Sequence, residues 1–243
     1  MNLIIDVGNS YVKLAVFNRN GLKHRFIVEH NKLVEQVTML IEEIPSLKRG
    51  VLSSVGKLTS NQLRELKDLL DLLIIDSKTA LPFINTYETP KTLGVDRIAL
   101  VCASINEFSE SNVLIIDAGT CITYDFINEK NEYLGGAISP GIRVRYKSLN
   151  NLTANLPLLE TELPRSIIGC STEESIHSGV VNGVLKEIDG VIEDYKCKYS
   201  DLTVILTGGD ANFLSKQLKS SIFANSNFLL EGLNFILQFN LNE

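Results

Sequence analysis

Two stretches of the 243-residue chain end an apolar run with an acid, a glycine and a hydroxyl residue. The first is Asp6-Val7-Gly8-Asn9-Ser10-Tyr11-Val12-Lys13. The second is Asp117-Ala118-Gly119-Thr120-Cys121-Ile122-Thr123-Tyr124-Asp125. Gly8 and Asn9 tolerate the positive φ of a tight turn. Small turn residues expose backbone N–H groups, which can form an anion-binding hollow, and Ser10 adds a hydroxyl. Beyond the turn Val12, Leu14 and Val16 alternate with Tyr11, Lys13 and Ala15. Lys13 therefore faces away from the apolar row and can reach a phosphate. Asp6, at the strand end, can hold Mg²⁺ through water. A plain hairpin explains the first stretch alone equally well. Two such turns, one per lobe, can grip a nucleotide's phosphates from both sides.

Weaker signals lie elsewhere. Gly135-Gly136-Ala137-Ile138-Ser139-Pro140-Gly141 and Thr207-Gly208-Gly209-Asp210-Ala211 place glycine pairs beside strand-like runs. Such pairs permit a bulge or a close backbone approach, against which adenine or ribose fits. They serve a tight strand-to-helix connection equally well. Gly94-Val95-Asp96-Arg97 opens a helical pattern. An acid there is favoured by a few tenths to ~1 kcal/mol from the helix dipole alone. Alternatively, Asp96 orients a hydroxyl for attack on a γ-phosphate, and Arg97 holds an acidic substrate in bidentate fashion. Residue types leave both readings open. Asp117 has no Lys or Arg within ten residues on either side, whereas Asp6 has Lys13. An unpartnered buried carboxylate is costly, so Asp117 calls for a distant basic residue, a proton, solvent or a bound cation.

The elements that must position these residues are read from periodicity. Leu3-Ile4-Ile5-Asp6-Val7-Gly8 nearly repeats as Leu114-Ile115-Ile116-Asp117-Ala118-Gly119. A second run follows each, Tyr11 to Phe17 and Ile122 to Ile127. The 111-residue offset is too long for a solenoid unit and suggests two duplicated lobes. Apolar stripes predict helices over 31–44, 60–73, 95–108, 174–195 and 227–239. Leu73 to Asp76 and Val204 to Leu206 read as buried strands. The pattern is α/β, with lobes at 1–112 and 113–243 around a nucleotide cleft.

Composition removes several classes. The chain is 44% hydrophobic and 21% charged, which excludes intrinsic disorder. Its 23 basic and 29 acidic residues give a net charge of −6, a poor match for nucleic acid. No apolar run approaches a membrane span, and the N-terminus lacks a basic signal-peptide region, so a cytoplasmic location is expected. Cys102, Cys121, Cys170 and Cys197 form no C-x-x-C pair, which argues for free thiols over disulfides or zinc. His177 sits in a helical stretch without a partner motif and reads as structural. No G-x-G-x-x-G follows a strand. Gly56-Lys57-Leu58-Thr59 imitates a P-loop, with Gly50 one residue too far upstream and Leu58 where Ser or Thr is required.

Taken in order, the five motifs resemble type III pantothenate kinase, of the acetate and sugar kinase/actin superfamily. They are Asp6-x-Gly8-Asn9-Ser10-x-x-Lys13, Gly94-x-Asp96-Arg97, Asp117-x-Gly119-Thr120-x-x-Thr123-x-Asp125, Gly135-Gly136-x-Ile138-x-Pro140-Gly141 and Thr207-Gly208-Gly209-x-Ala211. Cys121 departs from the family, which usually has Ala there, and 142–165 matches nothing in it. The resemblance implies two actin-like, ribonuclease H-like lobes and ATP-dependent phosphorylation of pantothenate, the first step of coenzyme A synthesis. It places Asp6, Val7, Gly8, Asn9, Ser10, Tyr11, Val12, Lys13 and Thr120 on ATP, with Mg²⁺ as cofactor. Asp96 is implied as proton acceptor. Tyr87, Gly94, Val95, Asp96, Arg97 and Thr172 are implied on the substrate. Asp117 is implied to bind a monovalent cation, potassium or ammonium, in a homodimer. Read bare, Tyr87 is a loop aromatic and Thr172 a helix N-cap ahead of Glu173. A homodimer also accords with helices at 174–195 and 227–239 that look too apolar for one solvated lobe.

Two other functions fit parts of the sequence. An actin-like nucleotide binder without turnover needs no acceptor-side base, which Asp96 argues against. A sugar kinase of the same superfamily does not need Tyr87 and Thr172 at this spacing.

Overall fold

The computed structural model describes residues 1–9, 11–54 and 58–241. Contacts divide it into two compact units, 1–109 with 227–243, and 110–226.

The first unit is built on β1 (Asn2–Val7), β2 (Val12–Asn18), β3 (Gly21–Val28), β4 (Arg49–Ser54) and β5 (Asp71–Ile74). Their order is β3-β2-β1-β4-β5. β2 runs antiparallel to β1 and β3, while β4 runs parallel to β1 and β5. Helices α1 (Leu33–Glu43) and α2 (Ser60–Leu69) cover one face. Leu33, Val37, Leu40 and Leu66 there join Leu3, Ile5 and Val7 in one core. A capping box starts α2: Thr59 accepts the Gln62 N–H and Gln62 returns the contact. A two-residue strand β6 (Ile84–Asn85) precedes α3 (Val95–Glu107).

The second unit holds β7 (Asn112–Ala118), β8 (Cys121–Ile127), β9 (Glu132–Pro140), β10 (Leu202–Thr207) and β11 (Phe223–Ala224), with α4 (Ile142–Leu152), α5 (Thr172–His177), α6 (Gly183–Lys198) and α7 (Ala211–Leu214). Its strands run β11-β10-β7-β8-β9. β8 is antiparallel to β7 and β9, and β10 is parallel to β7 and β11. Read outward from β1 and from β7, the two sheets have the same order and sense. The near-repeat in sequence is therefore a repeat of topology.

The structure departs from the sequence-based expectations in three places. The stripe at 60–73 stops at Leu69, and Leu73 belongs to β5. Leu70 is extended (φ −138°, ψ 146°), so the leucine run continues as a strand. The 174–195 stripe is helical throughout, within a continuous run from Thr172 to Lys198, but the run includes a π-type turn, Ser178–Asn182. The tail, assigned to the second lobe, forms α8 (Phe228–Leu241) and packs on α3 in the first unit. Its Phe228, Leu229, Leu230, Leu233, Ile236 and Leu237 are buried there. Val184, Ile188 and Ile192 of α6 are buried in the core of the second unit. The apolar character of these two helices is thus accounted for inside the units, and it supplies no argument for a dimer.

Candidate active site

In the first unit the β1–β2 register sets Asp6 opposite Lys13 and Val7 opposite Val12. Gly8 closes the turn by donating its N–H to Tyr11 O (3.1 Å). Val7 and Val12 are fully buried, which leaves only their backbone for a ligand. Asn9 and Tyr11 are exposed, and Ser10 lies outside the described residues, as do Gly56 and Lys57. Asp6 is 6% exposed, and Lys13 Nζ approaches its Oδ2 at 3.7 Å. Burial pushes the Asp6 carboxyl above its ordinary value. Lys13 opposes that rise and the charge of Asp96 adds to it. Ser53, beside Asp6 on the parallel strand β4, also favours the ionised form. Its buried hydroxyl makes no hydrogen bond of good geometry among the described residues. On the outer side, His30 Nε2 lies 2.9 Å from Gly8 O. A carbonyl only accepts, so Nε2 carries the proton. The carbonyl of His30 in turn accepts from Gln62 Nε2 (2.6 Å).

The acceptor-side candidates open α3. Gly94 is its N-cap, and a Cβ there would collide with Asp96 Oδ1. Asp96 Oδ1 accepts the Arg97 N–H (2.8 Å). Arg97 is buried, with its guanidinium carbon 5.7 Å from the centroid of the Tyr87 ring. Val95 is half-buried. Tyr87, Asp96 and Arg97 therefore belong to one cluster, and the field of Asp96 joins that cluster to Asp6.

In the second unit the β7–β8 register sets Asp117 opposite Thr123 and Ala118 opposite Ile122. Gly119 donates its N–H to Cys121 O (2.9 Å). Asp117 is half-buried and Thr120 exposed. Thr123 Oγ1 is buried with no hydrogen-bond partner among the described residues. Gly208, with φ +95°, packs its backbone on this turn, where a Cβ would strike Ala118 O and Asp117 Oδ1. Asp125 is fully buried and accepts from Tyr133 OH (2.7 Å). Burial raises the Asp210 carboxyl, and its ion pair with Arg143 counters the rise.

Thr172 is the first residue of α5. The N-cap is its neighbour Ser171, whose hydroxyl accepts the Glu174 N–H (3.2 Å). The bare reading of Thr172 as a cap is therefore corrected. Thr172 lines an open hollow of about 730 Å³ with Leu149, Leu156, Cys170, Ser175 and Ile176. His177 Nδ1 lies 2.8 Å from Tyr146 OH. All four cysteines are free. Among the described residues, no three His, Cys, Asp or Glu side chains gather as a metal site, and no helix is long and apolar enough to cross a membrane.

The profile of type III pantothenate kinases matches residues 2–194. The type III pantothenate kinase of Christiangramia forsetii is 53% identical over 240 residues, covering 99% of each chain. The chain belongs to the type III pantothenate kinase family. Solved structures show the fold at lower identity. A protein from Campylobacter jejuni described as a Baf family transcriptional activator is 22% identical, with TM-score 0.64, covering 99% of this chain and 100% of its own. A glucokinase from an Antarctic psychrotroph is 13% identical, with TM-score 0.56 and 98% coverage of each chain. The type III pantothenate kinase chain thus has the two-lobe actin-like α/β fold. Sequence reasoning missed three residues that shape its turns. Ser53 and His30 carry no motif, and Arg143 lies in the stretch that matched nothing.

Proposed function

We propose that this chain transfers the γ-phosphoryl group of ATP to pantothenate, the first step of coenzyme A synthesis, and that Asp96 accepts the proton of pantothenate's primary hydroxyl. The observation that carries the assignment is the start of α3, where Asp96 Oδ1 accepts the Arg97 N–H and the Arg97 guanidinium lies over the Tyr87 ring. The rise that the charge of Asp96 causes at the Asp6 carboxyl supports an acceptor-side carboxylate near the Asp6–Lys13 turn. Asp96 orients the hydroxyl for in-line attack and takes its proton as the oxygen bonds to phosphorus. Arg97, stacked on Tyr87, offers a guanidinium to the pantothenate carboxylate. Gly94 and Val95 shape the same helix start, and Thr172 binds substrate from its hollow.

The backbone of Asp6 to Lys13 and the Lys13 ammonium receive ATP phosphate in the first unit, and Thr120 does so in the second. Most of the rate gain comes from positioning and charge. The site suits Mg²⁺, because burial and Asp96 outweigh Lys13 at the Asp6 carboxyl. Asp6 would hold the ion through water, and the ion would neutralise phosphate charge. Asp117 is the carboxylate for a monovalent cation, potassium or ammonium. Thr123 Oγ1 across the strand, buried and without a hydrogen-bond partner among the described residues, supports an oxygen-ligated ion there.

The enzyme is a cytoplasmic homodimer in this reading. Its support is the exposed apolar side chains of the second unit, with Leu152 83%, Leu158 55%, Ile167 70% and Ile168 73% exposed. A coupled ADP-release assay tests the function, with pantothenate set against glucose, N-acetylglucosamine and no acceptor. Turnover with pantothenate alone is expected. Turnover with a sugar instead, or ATP binding without any turnover, would refute the proposal.

A further inference from the structure

Helix α4 lies in the stretch that matched no motif, yet its first turn is tied to the β7–β8 turn. Gly141, its N-cap, donates its N–H to Thr120 O (3.0 Å). Arg143 reaches Asp210 with Nη2 at 2.7 Å and Nη1 at 3.3 Å from Oδ1. Asp210, 8% exposed, donates its backbone N–H to Ala118 O (2.9 Å). Between these contacts, the Gly208 backbone is packed on Asp117 and Ala118.

We propose that Arg143 is a positioning residue: through Asp210 it holds the Gly208–Asp210 backbone against Asp117–Thr120 and fixes the shape in which that turn receives ATP. The inference rests on the nucleotide reading above. A buried carboxylate stripped of a cationic partner draws in water or moves outward. Without Arg143, Asp210 would pull its own N–H from Ala118 O and lift Gly208 off Asp117. Asp210→Asn differs, because an amide needs no counter-charge and keeps the backbone N–H.

The test compares steady-state kinetics of Arg143→Ala, Arg143→Lys, Asp210→Asn and the double Arg143→Ala/Asp210→Asn in the full chain. Arg143 is itself exposed, but Asp210 is buried, and losing the cation that faces this buried carboxylate is expected to raise the KM for ATP on the order of tenfold in Arg143→Ala. The KM for pantothenate and kcat at saturating ATP should stay within about twofold, the split that lost ATP positioning alone predicts. Arg143→Lys and the double variant should both lie nearer wild type than Arg143→Ala. An unchanged KM for ATP in Arg143→Ala overturns the proposal. So does a parallel loss in both KM values and kcat with a lowered Tm, or a double variant no better than Arg143→Ala. If wild type shows no pantothenate turnover, the proposed function fails and this inference is read by equilibrium binding of a fluorescent ATP analogue. Weaker binding by Arg143→Ala then supports it, and equal affinity overturns it.

Discussion

Between Val7 and Val12 the first turn spans Gly8 to Tyr11, whereas between Ala118 and Ile122 the second spans only Gly119 to Cys121. Both follow a β-branched strand that ends in Asp-x-Gly. The one-residue difference slips the second register, so Asp6 faces Lys13 while Asp117 faces Thr123. The bracing differs as well. A side chain, His30, holds the carbonyl of Gly8. Backbone amides of Gly141 and Asp210 hold those of Thr120 and Ala118. One duplicated strand–turn–strand unit thus yields a carboxylate with a lysine opposite it and a carboxylate with a threonine opposite it. In the function proposed above, the first receives phosphate and Mg²⁺ and the second a monovalent ion.

Among changes to the two turns, the largest expected effect comes from breaking the first. Lys13→Met should cut kcat/KM for ATP by roughly 30- to 100-fold, the loss of one charged hydrogen bond to phosphate. Steady-state kinetics over an ATP series measures it, and a loss below threefold removes Lys13 from the phosphate site. The second turn is tested through the monovalent ion proposed for it. Replacing potassium or ammonium with sodium or Tris, at constant ionic strength and Mg-ATP, should lower turnover about tenfold. Asp117→Asn should abolish that difference. Equal rates in all four buffers would leave the contrast between the turns without a functional meaning.

A smaller effect sharpens the contrast in bracing. His30→Ala should raise the KM for ATP several-fold, as expected for one hydrogen bond of about 1 kcal/mol. His30→Gln places an N–H donor near Nε2 and should restore it. Failure of Gln to restore would mean that the His30 contact is packing alone.

The smallest effect is on stability. The folded Asp6 carboxyl titrates above its ordinary value of 3.8, chiefly through burial. The folded state therefore binds this proton more tightly than the unfolded chain. That contribution is fully present below 3.8 and is lost as pH rises through the folded value. Asp6→Asn, without Mg²⁺, should match wild type in Tm at low pH and exceed it at pH 7, by roughly 2–4 °C per kcal/mol. Thermal melts across pH measure this, and a lower Tm at pH 7 contradicts it.

The turns were legible because an acid and a glycine after a β-branched run signal a strand end locally. Helix α1 was legible because it has one wet face, whereas α3 is buried all round from Ala99 to Ser104 and was legible only through its apolar residues. Helix α4 was not, since Ile142-Arg143-Val144-Arg145-Tyr146-Lys147-Ser148-Leu149-Asn150-Asn151-Leu152 buries only Ile142 and Tyr146 fully. Such a stripe is too thin to stand out. The place of α8 depends on Phe228 to Leu237 meeting α3 from the far end of the chain, and no local pattern encodes that pairing. His30 and Ser53 touch the first turn through strand pairing and a distant loop, so their spacing carries no motif.

The central claim is that Asp96 takes the substrate proton beside the Asp6–Lys13 turn. Single-turnover phosphoryl transfer to pantothenate by Asp96→Asn, with nucleotide affinity measured in parallel, tests it most directly. The account predicts ATP binding within about twofold of wild type and transfer at least ~100-fold slower, the scale of a lost general base. Transfer slowed less than threefold, with ATP binding intact, would contradict it.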